Sequence, residues 1–142
     1  MNTGERIRAA RKSAHLSQAE LASRVGLSEP AIRLYELGKR TPKPEVLTAI
    51  AKALGVSSES LEDRRMDSVQ DVMEVLFQME EAGFGIIPIN TEDGTVIAID
   101  PTAPHAPKLQ MALDEWRKQH EALDSKSASR IEYAVWRGSF GA

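Results

Sequence analysis

The stretch SQAELASRVGLSEPAIRLYELGKR, residues 17–40, contains two short helical patterns on either side of a single glycine. Ser17 and Glu20 have the spacing of a capping box, in which each side chain accepts a hydrogen bond from the backbone N–H of the other residue, so a helix is expected to begin after Ser17. Gly26 ends that helix, because glycine adopts left-handed backbone angles without steric cost. Ser28 is then the expected N-cap of a second helix.

Three residues within this stretch have side chains of the size that two closely crossing helices require. Ala22 is small enough to let the helices approach, Gly26 fits a tight turn, and Ile32 fills the space beneath the crossing. Pro30 is compatible with the second helix because its missing N–H falls in the first turn. This order of residues is typical of the helix-turn-helix that binds DNA.

The residues on both sides of the stretch also follow helical spacing. Ile7 belongs to an apolar series that predicts an earlier helix. After the stretch, a helix is expected over about 45–54, and residues 57–61 fit one last turn. The first part of the chain is therefore predicted to be an all-α domain of five helices. The predicted core positions are Ile7, Leu21, Ala22, Val25, Ile32, Leu47, Ile50 and Leu54.

The charges are divided unequally along the 142 residues, whose formal net charge is -3. Residues 1–65 contain 12 Lys or Arg and 8 Asp or Glu, whereas residues 66–142 contain 6 and 13. This asymmetry favours a polyanionic partner for the first part alone. The chain has no cysteine and no apolar run long enough to span a bilayer, so neither a disulfide framework nor a membrane segment is expected. The cytoplasm is the expected location.

The charged run EDRRMD is the predicted boundary between a domain over residues 1–65 and another over residues 66–142. An amphipathic helix is expected to follow it. FGIIPIN and TVIAID, separated by the turn-forming TEDG, then predict a β-hairpin. Pro88 restricts its strand to a sheet edge or a bulge. A longer helix and a short final helix complete the pattern, with Trp116, Trp136 and Phe84 expected in the core.

The predicted fold class is α+β. It combines an N-terminal all-α five-helix domain that contains the helix-turn-helix with a small C-terminal domain of helices and one β-hairpin.

Residues 5–61 resemble the Xre family, the helix-turn-helix regulators of the phage Cro/CI repressor type. The matching segments are SQAELA at 17–22, VGLS at 25–28, Ile32, and YELGKRTP at 35–42. The resemblance implies a cytoplasmic, nucleoid-associated protein of a bacterium or phage that regulates transcription. It further implies a repressor that binds a palindromic operator in double-stranded DNA as a homodimer, with its third helix in the major groove.

The resemblance implies DNA contacts of two kinds. Gln18 is expected at a phosphate, as are Lys39 and Arg40 in the loop after the third helix. Arg33 can donate two hydrogen bonds to a guanine, and Glu29 can accept one from a cytosine. Glu29 could instead repel phosphates or pair with Arg33 four residues on. The predicted DNA-binding residues are Gln18, Ser28, Glu29, Pro30, Arg33, Lys39 and Arg40.

Two further residues have a supporting role in this comparison. Arg11 and Glu36 are expected to form an ion pair that links the first helix to the end of the third. Glu36 is therefore interpreted as structural, holding Arg11 in place.

The second domain matches no family with a transferable function. A domain with one hairpin between helices is not expected to be stable alone, because its helices cannot cover both faces of the two-stranded sheet. Dimerisation is therefore its expected role, with a small-molecule effector or a protein partner as the alternatives. An antitoxin that represses its own operon through the same helix-turn-helix is the competing function for the whole chain.

Enzymatic function is not expected. His105 and His120 lie outside any HExxH pattern, so no metallopeptidase is indicated. Ser125, Lys126 and Ser139 are too close to the end of a short domain to build a self-cleaving repressor domain. No catalytic residue, metal or cofactor is predicted.

Overall fold

The computed structural model describes residues 1–142 as eight helices and one two-stranded antiparallel sheet. None of the helices combines the length and the apolar character needed to cross a bilayer. In chain order the elements are α1 Thr3–Ser13, α2 Gln18–Val25, α3 Glu29–Glu36, α4 Pro44–Leu54, α5 Ser58–Leu61, α6 Val69–Glu81, β1 Ile86–Thr91, β2 Gly94–Ile99, α7 Ala106–Asp124 and α8 Arg130–Ser139.

The chain forms two compact units. Unit 1 comprises Met1–Arg64 together with Lys126–Ala142, and unit 2 comprises Arg65–Ser125. The sequence had assigned the C-terminal segment to the second domain, but α8 packs against α1 and α5 in unit 1. With this segment included, unit 1 contains 14 Lys or Arg and 9 Asp or Glu, whereas unit 2 contains 4 and 12. The separation of charge is therefore sharper than the sequence halves indicated.

A glycine allows α8 to reach unit 1. The backbone N–H of Ser57 donates a hydrogen bond to the Gly138 carbonyl oxygen at 2.9 Å. A Cβ atom at position 138 would lie 3.3 Å from Val56 Cγ1, which is a tight contact. The missing side chain thus brings the end of α8 against the loop before α5. The sequence alone does not show this contact, because it joins residues far apart in the chain.

The core of unit 1 is formed by α1 to α5, as predicted. Five of its side chains are fully buried, and each contributes about 1.5–3 kcal/mol relative to an exposed position. Val25 is half-buried and packs on the edge of this cluster. The buried residues are Ile7, Leu21, Ala22, Ile32, Tyr35, Leu47, Ile50, Ala51, Leu54 and Leu61.

Gly4 permits close contact between the start of α1 and the end of α3. It is buried, and a Cβ atom there would collide with the Tyr35 carbonyl oxygen and lie 2.9 Å from the Glu36 carbonyl oxygen. These atoms belong to backbone that has little freedom to move. The distance between α1 and α3 therefore depends on the absence of a side chain at position 4.

Unit 2 buries little apolar surface. Helix α6 packs against β1, and Ile86 and Ala106 are the buried hydrophobic residues of this unit. Of the three aromatic residues predicted in the core, Phe84 of this unit and Trp136 of unit 1 are half-buried. Trp116 is 51% exposed, so its predicted core position is wrong for the single chain. The reason is that a two-stranded sheet offers too small a surface to cover α7. Pro88 lies in β1, at the edge of a sheet as expected.

We expect Gly4→Ala to lower the free energy of unfolding of unit 1 by about 1–3 kcal/mol, because the added methyl group overpacks the contact between α1 and α3. Alanine is otherwise the better helix former by about 1 kcal/mol, so a loss must come from the collision. Trp136 is the tryptophan of unit 1 and Trp116 that of unit 2. Urea unfolding followed by Trp136 fluorescence in a Trp116→Phe background measures the effect. Exposed Lys12→Ala on the same helix is the control, and equal stability of the two variants would contradict the prediction.

Candidate nucleic-acid interface

Capping hydrogen bonds define the two helices of the motif. The Ser17 hydroxyl accepts from the Glu20 backbone N–H at 3.0 Å, and the Glu20 carboxylate accepts from the Ser17 N–H at 2.6 Å. Hydrogen bonding to Ser17, chiefly to its backbone N–H, lowers the pKa of the Glu20 carboxyl. Gly26 ends α2 with φ of 69°, and the Ser28 hydroxyl begins α3 by accepting from the Ala31 N–H at 3.3 Å. The predicted capping box and turn are thus confirmed.

The residues predicted to bind bases lie on the outward face of α3. Ile32, Tyr35 and Glu36 are buried on its inner face, whereas Glu29, Pro30 and Arg33 are exposed. The Arg33 Nη2 atom lies 3.7 Å from Glu29 Oε1, so the two side chains form a loose ion pair on the surface. Such an exposed pair contributes little to stability and leaves both groups available for other contacts.

Gln18 has a partner that the sequence did not indicate. Its Nε2 atom donates a hydrogen bond to Glu36 Oε2 at 2.9 Å, which joins the start of α2 to the end of α3. An amide nitrogen carries two hydrogens, so one N–H of Gln18 can still donate elsewhere. Gln18 is half-buried, whereas Ser28, the N-cap of α3, is exposed.

Lys39 and Arg40 are exposed in the loop that follows α3. Their backbone N–H groups both donate to the Leu34 carbonyl oxygen, at 3.0 and 3.3 Å, which anchors the loop to the helix. The Arg40 guanidinium lies 5.8 Å from the centre of the Tyr35 ring, at a distance where a cation–π attraction operates. Two cationic side chains are therefore held close to the end of α3.

A buried ion pair connects three helices beneath this surface. Arg11 Nε donates to Glu36 Oε1 at 2.5 Å and Arg11 Nη2 to Glu36 Oε2 at 3.0 Å, as the predicted pair requires. Arg11 Nη1 also donates to the Leu16 carbonyl oxygen at 2.7 Å, in the loop between α1 and α2. Together with Gln18, these bonds satisfy both carboxylate oxygens of Glu36.

Both side chains of this ion pair, Arg11 and Glu36, are stabilised in their charged forms. Burial raises the pKa of the Glu36 carboxyl, but the hydrogen bonds from Arg11 and Gln18 and the charge of Arg11 outweigh it, so the net pKa lies below its usual value. The hydrogen bond to Glu36 raises the pKa of Arg11. No buried side-chain nitrogen or oxygen lacks a partner. The structure contains no group of three or more His, Asp or Glu residues arranged to hold a metal ion.

We expect Glu36→Ala to destabilise unit 1 by about 3–5 kcal/mol, because it leaves the Arg11 charge buried without a counterion. The double variant Arg11→Met with Glu36→Leu should lose less, since neither charge then remains. Urea unfolding followed by Trp136 fluorescence in the Trp116→Phe background measures both. A double variant less stable than Glu36→Ala would contradict the explanation that the loss comes from an unpaired buried charge on Arg11.

The same comparison has a pH dependence. The pKa of Glu36 is lowered by folding, so its carboxylate contributes fully above the unfolded value of about 4.5 and loses that contribution as pH falls through the folded value. The stability difference between the native chain and Glu36→Ala should therefore narrow below about pH 4.5. A constant difference between pH 7 and pH 3 would contradict this assignment.

Comparison with known proteins places this geometry in a family. A helix-turn-helix family model matches residues 7–61. An uncharacterized HTH-type transcriptional regulator of Mycobacterium tuberculosis is 48% identical over 58 residues, which cover 41% of this chain and 41% of that protein. Repressor protein C2 of Salmonella phage P22 is 45% identical over 64 residues, covering 43% of this chain and 30% of that protein.

Two solved structures are also similar in sequence to this segment. The solution structure of the DNA-binding domain of the P22 C2 repressor (1-76) is 43% identical, covers 43% of this chain and 80% of that chain, and has a TM-score of 0.42. The crystal structure of the P22 c2 repressor with synthetic operator 9T is 41% identical, with coverage of 44% and 96% and a TM-score of 0.43.

The family model stops at residue 61, the end of α5. The chain spans less than half the length of the Mycobacterium and P22 proteins that it matches. The family model therefore covers the segment that contains the motif. Residues 7–61 of this chain are a helix-turn-helix domain of the Xre, or Cro/CI repressor, family.

Proposed function

We propose that this protein is a sequence-specific transcriptional regulator that binds double-stranded DNA through residues 7–61 and represses as a homodimer on a palindromic operator. The observation that carries the proposal is the outward face of α3. Its exposed polar side chains stand beside two exposed cations, on a segment 45% identical to a phage repressor. A face of this kind fits the major groove, where base edges present hydrogen-bonding groups.

Different residues read sequence and hold the backbone in this proposal. Arg33 donates to a guanine edge, and Glu29 either accepts from a cytosine or keeps Arg33 extended through their ion pair. Pro30 provides only apolar contact. Lys39, Arg40, Gln18 and Ser28 contact phosphates, which fixes the register of α3 without distinguishing bases.

Unit 2 supplies the homodimer contact. Large hydrophobic side chains are exposed on α6, on the hairpin and on α7, which supports burial of part of this surface against a second copy. A dimer places two copies of α3 on the two halves of a palindrome. These exposed residues are Met66, Val69, Val72, Val75, Phe77, Ile89, Val96, Ile97, Met111 and Trp116.

The folded character of unit 2 supports the regulator over the antitoxin alternative, because a flexible tail is the common means by which an antitoxin covers its toxin. The division of charge agrees with this arrangement. Unit 2 is strongly acidic and would be repelled by DNA, so it serves protein contacts while unit 1 meets the nucleic acid.

We expect Arg33→Ala to weaken binding to the preferred operator by about 1–3 kcal/mol and to relax the preference at one base pair, because a guanine loses its bidentate donor. The operator is first selected from a pool of random duplexes. Binding titrations on the selected duplex and its single-base variants at several salt concentrations then measure the change. Equal loss on every duplex would make Arg33 a phosphate contact and contradict its assignment to base reading.

Lys39→Ala and Arg40→Ala serve as the matched comparison in the same titrations. Each should weaken all duplexes alike and reduce the slope of log affinity against log salt by about one, because one fewer counterion is released. Lys118→Ala in unit 2 removes the same charge from an exposed site on α7 and should change neither quantity. An effect of Lys118→Ala as large as that of Lys39→Ala would mean that the slope reports net charge only.

The full chain should sediment as a dimer at micromolar concentration. Both copies of unit 2 carry 4 Lys or Arg and 12 Asp or Glu, so they repel each other, and salt screens this repulsion. The dimer should therefore become tighter as salt rises, in the opposite direction to DNA binding. Sedimentation velocity over a salt series measures this, and a monomer at every salt concentration would refute the proposed homodimer.

A further inference from the structure

The two strands of the hairpin have different outer edges. The Asp100 N–H donates to the Gly85 carbonyl oxygen at 2.7 Å, just beyond the last residue pair of the hairpin. Gly85 and Asp100 therefore form a hydrogen-bonded pair. Hydrogen-bonded and non-hydrogen-bonded pairs alternate in an antiparallel ladder, so the residues of every second pair from this one point their N–H and carbonyl groups toward the other strand of the hairpin, and those of the pairs between point them away from it. The outward-pointing backbone groups are therefore those of Ile86, Pro88 and Asn90 on β1, and of Thr95, Ile97 and Ile99 on β2.

Pro88 blocks one of these edges. It lies at the centre of the outward positions of β1 and has no N–H to donate, so a further strand cannot pair there without losing a hydrogen bond. The edge of β2 is complete, since Thr95, Ile97 and Ile99 each carry an N–H and a carbonyl. No hydrogen bond within the chain uses these three N–H groups. β2 also has no charged residue to discourage pairing.

We infer that β2 pairs with β2 of a second copy, forming a four-stranded antiparallel sheet across the dimer. This inference rests on the proposed homodimer and identifies its contact. A two-fold axis through Ile97 places Ile97 opposite Ile97 of the second copy, and Thr95 opposite Ile99. Every outward N–H and carbonyl of both strands then finds a partner. An axis shifted by one residue in either direction leaves one outward residue of each copy unpaired.

The single complete edge identifies a second copy as the occupant. Two copies that each offer one edge form a closed pair, whereas two usable edges on each chain would extend the sheet without limit. The two-fold arrangement places two identical strands side by side. Because β2 has no charged residue, this pairing brings no like charges together. Val96 and Ile97, both exposed in the single chain, extend the apolar surface along the same edge.

The exposed area of the chain agrees with a missing partner. The chain exposes 10009 Å². Two separate compact bodies with the masses of units 1 and 2 would expose about 8,700 Å² in all. The excess is about 1,300 Å² per chain, or about 2,600 Å² for two copies. This is more than the roughly 1,200–2,000 Å² that a standard interface removes from both partners together.

Disulfide formation tests this register, because the chain contains no cysteine and a single substitution can only link two copies. The axis through Ile97 makes position 97 a hydrogen-bonded pair across the two copies, with Cα atoms about 5.5 Å apart, which is within the range that a disulfide spans. Under mild oxidation with copper–phenanthroline, Ile97→Cys should migrate as a covalent dimer on a non-reducing gel. Thr95→Cys should stay monomeric, since its two copies would lie four residues apart along the strands, about 13 Å.

Asn90→Cys, on the blocked edge of β1, is the second control and should also remain monomeric. A chain that sediments as a dimer while Ile97→Cys fails to crosslink would overturn the β2 contact and leave the proposed homodimer intact. Equal crosslinking of Asn90→Cys and Ile97→Cys would overturn it as well. A native chain that is monomeric in sedimentation would instead reject the homodimer on which the inference rests.

Ile97→Pro provides an independent test that does not use oxidation. It removes the outward N–H of β2 while leaving the inward ladder intact, just as Pro88 does at the paired position of β1. Two hydrogen bonds per dimer are lost, so the dissociation constant in sedimentation should rise by about tenfold or more. The far-UV circular dichroism should be unchanged. A correctly folded Ile97→Pro chain with native dimer affinity would overturn the inference.

Discussion

The carboxylate of Glu36 is the point on which the arrangement of the motif depends. It receives hydrogen bonds from Arg11 on α1 and from Gln18 on α2 while lying on α3 itself, so one buried group fixes three helices. Arg11 also binds the Leu16 carbonyl oxygen, which holds the loop between α1 and α2. A carboxylate and a guanidinium tolerate little change in angle when both oxygens are occupied. The outward direction of Arg33 and Glu29 is therefore set from inside the domain.

The two units differ in their charge and in their exposed surface. Unit 1 has the excess of positive charge and the family match, whereas unit 2 has the excess of negative charge and ten of the sixteen large exposed hydrophobic residues. Pro88 bears on both the hairpin and the proposed homodimer. Its missing N–H costs the hairpin nothing because that position faces outward, and it leaves β2 as the strand with a complete edge. Local backbone chemistry thus limits how many copies could join.

The sequence predicted most of unit 1 because its signals are local. Ser17 with Glu20, Gly26, and Ser28 each act within a few residues, and the structure confirms the helix boundaries that they predicted. The bond between Gln18 and Glu36 and the collision that Gly4 avoids depend on how helices meet in space, which spacing along the chain does not encode. The position of α8 was missed for the same reason, and the exposure of Trp116 because too few strands exist to cover it. The assignment of DNA-contacting side chains remains a prediction.

The return of α8 to unit 1 has a consequence for the way the protein acquires its structure during synthesis. Residues 1–64 leave the ribosome first, but the helix that packs on α1 and α5 arrives only after all of unit 2. Closing so long a loop is entropically unfavourable while unit 2 is unfolded, and less so once unit 2 is folded, because a compact domain is much smaller than an unfolded chain of the same length. Folding of unit 2 and docking of α8 are therefore thermodynamically linked. A contact that stabilises unit 2 is therefore expected to favour the docking of α8 on unit 1 as well.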